Sequence, residues 1–276
     1  MKSKKQKATD LREKQSKNTE VHWKILNATS DCPYHECDGS GLIQMISDDG
    51  DFKTRFCKCR EEKIYANRLK FANIPNEFEE LTVNSFDTKV YCKQESQIIA
   101  AAAKKMTVKY ITNFDKFAEL GKGLYFYSTT KGSGKTRLAV SLGNALLKNN
   151  NERVKFITCS DLLKEIKNTY NKDSKYTESQ LIESINNVGV LVIDDIGVEQ
   201  PTSWVSEMLF NIFDNRMKYK RITILTSNDT IEGLKHDDRL KSRLVKMCIP
   251  IKMPEEDIRQ KQGKKENEEL QEFLLK

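Results

Sequence analysis

Residues 128–136 read Ser-Thr-Thr-Lys-Gly-Ser-Gly-Lys-Thr. The small residues Gly132, Ser133 and Gly134 let successive backbone N–H groups close around a phosphate, and a helix starting there adds the partial positive charge of its N-terminus. Lys135 is placed to reach β- and γ-phosphates, and the Thr136 hydroxyl to coordinate Mg²⁺. The candidate cradle for ATP is therefore Thr129, Thr130, Lys131, Gly132, Ser133, Gly134, Lys135 and Thr136. It departs from the strict pattern G-x-x-x-x-G-K-[ST] at one place, where Thr129 stands for the first glycine. The residues that make the closest phosphate contacts are kept.

A second set of chemical groups lies downstream. Val190-Leu191-Val192-Ile193 is an unbroken apolar run that ends in Asp194-Asp195, and carboxylates at the C-terminal end of a buried strand sit where α/β sheets bind ligands. Asp194 suits the Mg²⁺ shell, and Asp195 the orientation or deprotonation of an attacking water. Asn228 ends another apolar run, Ile222 to Thr226 followed by Ser227, where its amide can position the same water. Arg239 and Arg243, in Asp-Arg-Leu-Lys-Ser-Arg-Leu, are four apart and share one face of a presumed helix. Either could reach ATP held by a neighbouring subunit, and Arg243 is preferred.

A third set is four cysteines. Cys32 and Cys37 are followed by Asp-Gly-Ser-Gly, and Cys57 and Cys59 return after Asp49-Gly50, a hairpin-turn pair. Glycines permit the turns that aim two thiolate pairs at one centre, so the expectation is a four-thiolate Zn²⁺ site on a hairpin. With every ligand supplied by the chain, no position is left open for substrate, which makes the site structural. His35 in place of Cys37, an iron–sulfur cluster on the same four residues, and free thiols are the alternatives. Cys92, Cys159 and Cys248 stand alone and read as small core residues.

These groups need elements to hold them. Leu124-Tyr125-Phe126-Tyr127 suits a buried strand leading into the phosphate loop, and Leu138, Ala139, Leu142, Ala145 and Leu146 recur at helical spacing after it. Helical stretches are also expected over 60–69 and 95–117, with a break at Phe71 to Pro75. Between them, Phe78, Leu81, Val83 and Phe86 belong to a linker that docks aromatic residues on its neighbour. The expected organisation is a basic flexible tail (1–25), a zinc module (26–65), a linker (66–94), an ATPase core (95–254) and a short C-terminal tail (255–276).

Composition limits the function classes. With 276 residues, 38% hydrophobic and 32% charged, the chain has room for one large and one small domain and is not wholly disordered. It has no apolar run of the roughly 18 residues that a membrane span needs, and its N-terminus lacks a signal-peptide centre, so a cytoplasmic location with reduced thiols is expected. The net charge is +7, compatible with a polyanionic partner. Residues 1–20 hold seven basic side chains against three acidic ones, so much of that excess sits in the tail.

From Cys32 to Arg259 the chain resembles the AAA+ ATPases of the DnaC/DnaI helicase-loader and IstB group, especially DnaC-like proteins of phages and mobile elements. The matching segments are the cysteine module, Phe71 to Thr88, STTKGSGKT, LVIDDIGVEQ, LTSN and DRLKSRL. The resemblance implies an α/β fold: a parallel sheet in the order 5-1-4-3-2, from strands near 123, 153, 190, 222 and 246. It also implies a core without the full helical lid, since few residues follow Pro254, and it leaves Arg259 as a weak sensor candidate. No terminal helix-turn-helix is evident, which argues against a duplex-reading initiator.

The function implied is that of an ATP-hydrolysing helicase loader: the zinc module grips a hexameric replicative helicase while the core binds ATP and single-stranded DNA, with self-association through the ATP interfaces. Cys159 to Gln180 offers Lys164, Lys167, Lys172 and Lys175 with Tyr170 and Tyr176, a pairing suited to phosphates and stacked bases. The alternatives are an IstB-like transposition regulator and a nucleotide-switched adaptor without significant turnover.

Overall fold

The computed structural model describes residues 22–275 apart from 151, 172, 175 and 176. The chain divides into two compact units, Met1–Ala66 and Asn67–Lys276. Most of the expected basic tail, with Lys172, Lys175 and Tyr176, lies outside the described residues.

In the first unit, β1 (Trp23–Ile25), β2 (Leu42–Ser47) and β3 (Phe52–Phe56) form an antiparallel sheet in chain order. Trp23 to Ile25 falls inside the stretch assigned to the tail, because its backbone pairs with Met45 to Ser47. The β2–β3 hairpin turns at Asp49-Gly50 as its sequence implies, with Gly50 at φ 87°. Ile43 and Met45 point to the covered face with the four cysteines, while every residue of β3 is exposed. Helix α1 (Cys59–Ala72) follows.

The second unit is built on a five-stranded parallel sheet of β4 (Gly123–Tyr127), β5 (Val154–Thr158), β6 (Val190–Ile196), β7 (Ile222–Ser227) and β8 (Cys248–Lys252). Its order, β5-β6-β7-β4-β8, is the expected 5-1-4-3-2 arrangement read from the opposite edge. The central strands β4, β6 and β7 are largely apolar because both faces are covered, while β8 at one edge leaves Pro250 and Lys252 exposed. Leu124, Phe126, Val190, Val192, Ile222 and Ile224 pack with α2 (Gln94–Thr112), α3 (Phe114–Leu120) and α4 (Lys135–Asn149). The alternating residues Tyr125, Leu191, Ile193 and Leu225 pack with α5 (Cys159–Asn168), α6 (Glu178–Asn186), α7 (Ser203–Lys218) and α8 (Asp238–Met247).

Arg216 of α7 is fully buried and donates to Thr223 Oγ1 and to the carbonyls of Ile185, Val188 and Ile222, at 2.6–3.0 Å. These bonds lash α7 to the starts of β6 and β7. Residues 258–274, expected within a short tail, form helix α9 (Ile258–Leu274), capped by the Asp257 side chain. Among the described residues, no helix is long and apolar enough to cross a membrane.

Candidate functional site

The phosphate loop leaves the C-terminal end of β4 and runs into α4. Gly132 and Gly134 both take positive φ, 70° and 91°. A side chain at Gly132 would collide with Asp257, whose Oδ1 lies 2.1 Å from the position of its Cβ, so only glycine fits that turn. Gly134 caps α4 without a side-chain hydrogen bond, which leaves the first N–H groups of the helix for an anion.

Lys135 is folded back on the loop, its Nζ donating to the carbonyls of Thr130 at 2.8 Å and Ser128 at 3.2 Å. Burial holds its pKa below the usual lysine value, opposed by the nearby charges of Asp195, Glu255 and Asp194. An anion entering the loop supplies the charge that this desolvated ammonium lacks. Lys131 is exposed at the rim.

Asp194 and Asp195 are adjacent in sequence but differ in environment. Ile193 pairs with Leu225 and Ile196 with Ser227, so β6 carries a bulge at the two aspartates, and Asp195 takes a φ of 57°. A bulge re-aims side chains, and here it leaves Asp194 buried and Asp195 exposed. Asp194 accepts from the hydroxyls of Thr226 at 2.6 Å and Thr136 at 3.1 Å. Burial pushes its carboxyl up, the Thr226 bond pulls it down and the Asp195 charge raises it again. The juxtaposed Thr136 hydroxyl and Asp194 carboxylate are the hard oxygen donors that Mg²⁺ takes. Asn228, immediately after β7, faces the same cavity.

That cavity measures about 840 Å³ and brings together Lys131 to Thr136, Asp194, Asp195, Asn228 and Arg259. Its remaining wall includes Phe86, from the segment expected to dock aromatic residues, and Tyr91, which the sequence did not single out. Phe86 and Tyr91, each 2% exposed, close over Gly134, and the Tyr91 hydroxyl donates to the Ser133 carbonyl at 2.9 Å. Burial pushes the Tyr91 phenol up to about 12, so it stays a donor. The opposite side is the first turn of α9, where the N–H groups of Ile258 and Arg259 both donate to the Gly132 carbonyl.

Glu255 is a further residue that the sequence did not single out. It accepts from the backbone of Thr129 and Thr130 and from three hydroxyls of the loop. Burial raises its carboxyl, but those hydrogen bonds prevail and hold it down to about 2.

Arg239 and Arg243 do not enter this cavity. Both lie on α8, with their guanidinium carbons 5.2 Å from the centre of the Phe210 ring. Arg243 is bound to Asp214 at 2.6 Å, whereas the Arg239 side chain is 73% exposed and meets Asp237 at 3.2 Å.

In the first unit, the sulfur atoms of Cys32, Cys37, Cys57 and Cys59 lie within 4.8 Å of one another, all buried, and His35 is exposed outside the group. Cys32–Cys57 is 3.6 Å and Cys37–Cys59 is 3.5 Å, near the ~3.8 Å edge of a tetrahedron with ~2.3 Å Zn–S bonds. The donor set therefore fits Zn²⁺ directly. The thiols are inequivalent. Against the upward pull of burial, backbone groups at Glu36, Tyr34 and Cys37 hold Cys32 down to about 6, while burial and the neighbouring thiols push Cys59 up to about 12.

The model of the IstB-like ATP binding protein family matches residues 55–266. The chain is 34% identical over 127 residues to the replicative helicase loader DnaC of Buchnera aphidicola subsp. Baizongia pistaciae, covering 46% of this chain and 50% of that one. It is 28% identical over 154 residues to the replicative helicase loader DnaI of Bacillus subtilis, covering 50% and 48%. The chain thus spans about half the length of the curated relatives it matches. A crystal structure of the DnaC helicase loader superimposes with a TM-score of 0.54 at 23% identity, over 65% of this chain and 99% of that one, which shows a shared fold.

Proposed function

The chain belongs to the family of IstB-like ATP binding proteins, and from that premise we propose that it hydrolyses ATP and loads a replicative DNA helicase onto single-stranded DNA. The observation that carries the proposal is the division of catalytic groups. Lys135, Thr136, Asp194, Asp195 and Asn228 converge on one cavity, while the two finger candidates, Arg239 and Arg243, lie outside it on α8. Such a site is completed by a second copy of the chain, so turnover depends on self-association.

In this scheme Asp194 and Thr136 hold Mg²⁺, which supplies charge neutralisation at the phosphates when bound. Asp195 and Asn228 orient water. Arg239 or Arg243 reaches the neighbour's nucleotide; Arg239 must leave its exposed contact with Asp237, and Arg243 its closer one with Asp214. Zn²⁺ on Cys32, Cys37, Cys57 and Cys59 makes the small sheet a rigid docking module for the helicase. The single strand runs past α5, where Lys164 and Lys167 are exposed. There Lys167 Nζ lies 4.9 Å from the centre of the Trp204 ring, and Trp204 donates to the Tyr170 hydroxyl. Cations beside the exposed Tyr170 ring and the half-buried Trp204 ring suit phosphates and stacked bases.

The test is to isolate the chain with its bound partners from its host and to measure phosphate release with single-stranded DNA and the captured helicase. The expected result is co-elution of a hexameric helicase, with turnover that Lys135→Ala abolishes along with ATP binding. Capture of a transposase would favour the transposition regulator. Absence of phosphate release under those conditions would leave a nucleotide-switched adaptor.

A further inference from the structure

The loop that binds phosphate lacks its first glycine, and the structure shows what stands in its place. Thr129 takes no positive φ, so its backbone does not need glycine. Its side chain instead gives its hydroxyl to Glu255 Oε2 at 2.6 Å, while its N–H donates to Oε1 at 3.1 Å. Thr130 adds its N–H and its hydroxyl to Oε2, each at 2.9 Å, and Ser128 adds its hydroxyl at 3.0 Å.

A single carboxylate thus gathers four donors from Thr129 and Thr130, 126 and 125 positions away in the chain, and shares the single Ser128 hydroxyl proton with the Pro254 carbonyl, which lies 2.8 Å from it. The two residues after it work on the same cavity. Glu256 accepts from the N–H groups of Cys92 at 2.8 Å and Lys93 at 2.9 Å, next to Tyr91. Asp257 caps α9, whose first N–H groups donate to the Gly132 carbonyl.

We propose that Glu255 is a positioning residue for ATP, which with Thr129 and Thr130 preorganises the phosphate loop in place of the missing first glycine. The physical reason is conformational entropy. Fixing a residue's backbone costs conformational entropy, so a loop already held by Glu255 does not lose that freedom when phosphate arrives. Once the clasp is broken, the ordering is charged against ATP affinity. The inference rests on ATP binding by the loop; it assigns the determinant of affinity to a side chain outside the motif.

The experiment measures ATP dissociation constants, and KM and kcat for hydrolysis, on the full chain carrying Thr129→Gly, Glu255→Gln, Glu255→Ala and the pair Thr129→Gly with Glu255→Ala. Thr129→Gly restores the consensus residue yet is expected to weaken ATP binding about three- to tenfold, by losing a hydroxyl bond and stiffness together. Glu255→Ala weakens it about ten- to a hundredfold, raising KM and sparing kcat at saturation. Glu255→Gln falls between, since its carbonyl oxygen keeps part of the donor set. The pair is no worse than Glu255→Ala alone, because both act through one contact.

Thr129→Gly binding ATP as tightly as the natural chain, or Glu255→Ala lowering kcat at constant KM, overturns the proposal. So does a loss in melting midpoint without nucleotide that accounts for the whole affinity change, because that marks Glu255 as a general stabiliser. Failure of the natural chain to bind ATP would instead overturn the nucleotide-site reading itself.

Discussion

Replacing Thr226 with valine isolates one contact that organises the paired aspartates. The Thr226 hydroxyl is buried, donates to Asp194 Oδ1 at 2.6 Å and accepts the Asp195 N–H at 2.9 Å. Valine keeps the shape and removes both bonds. A hydrogen bond to a carboxylate contributes about 1.5–3 kcal/mol, and an unpaired N–H adds about 1 kcal/mol at the low end, since Asp195 is exposed. The expected loss at neutral pH is therefore roughly 2.5–4 kcal/mol.

The pH dependence separates this account from simple packing. Burial raises the Asp194 carboxyl above its ordinary 3.8, and the Thr226 bond is the largest interaction opposing that rise. A carboxyl raised on folding stabilises the fold below its unfolded value, and that contribution is lost as pH rises through the folded value. Thr226→Val lifts the folded value further, so its deficit is smallest in acid, where Asp194 is protonated, and reaches full size at neutral pH.

Urea unfolding of the nucleotide-free chain across pH 4 to 8 reads the deficit, and Mg²⁺ titration of ATP binding reads the site, with a loss of about ten- to a hundredfold in Mg²⁺ affinity. Thr226→Ser, which keeps the hydroxyl, restores most of both. A deficit that does not change with pH, or a serine variant as impaired as valine, refutes the reasoning.

The cysteine module should hold one Zn²⁺ per chain as purified; Cys32→Ser or a strong chelator should unfold the small sheet, since structural zinc supplies roughly 10 kcal/mol of folding free energy. Metal analysis with circular dichroism checks this, and a folded chain free of zinc contradicts it. Arg239→Ala and Arg243→Ala, assayed separately across protein concentrations, should leave ATP affinity within about twofold, and the true finger should lower turnover by up to about a thousandfold. For Arg243 the control is Asp214→Asn: an equal loss there means that their ion pair matters, and not reach toward a neighbour.

The sheet and the phosphate loop were legible because both are written locally. Apolar runs at β4, β6 and β7 announce strands buried on two faces, and the loop, paired aspartates and Asn228 at their ends come together along one edge. The four cysteines were legible for a similar reason, since thiolate pairs flanked by Asp38 to Gly41 and by a hairpin turn have few other uses. The C-terminal helix was less so. Residues 258–274 have a polar, charged composition with no buried stripe beyond Ile258, so no period marked them, and their placement depends on the Asp257 cap and on two bonds to Gly132.

What escaped the sequence are polar contacts between distant residues, which leave no periodic trace. Glu255 and Thr226 are unremarkable in type and become specific only when β8 and β7 bring them to the loop and the aspartates. The same is true of Glu199 and His236, 37 positions apart. Glu199 accepts the Gly197 N–H just beyond β6 and bonds His236 Nε2 at 2.9 Å, immediately before the Asp237 cap of α8. Their side chains are 8% and 1% exposed. In such surroundings an unmade bond is costly, so the pair fixes the end of β6 relative to the arginine helix. Gly197 reinforces the junction, because a Cβ there would lie 2.5 Å from Leu234 Cδ2. The candidate nucleotide cavity and the helix that would serve a neighbour's are therefore joined through a buried hydrogen bond and a close backbone contact. Their geometry is set by side chains that no motif includes.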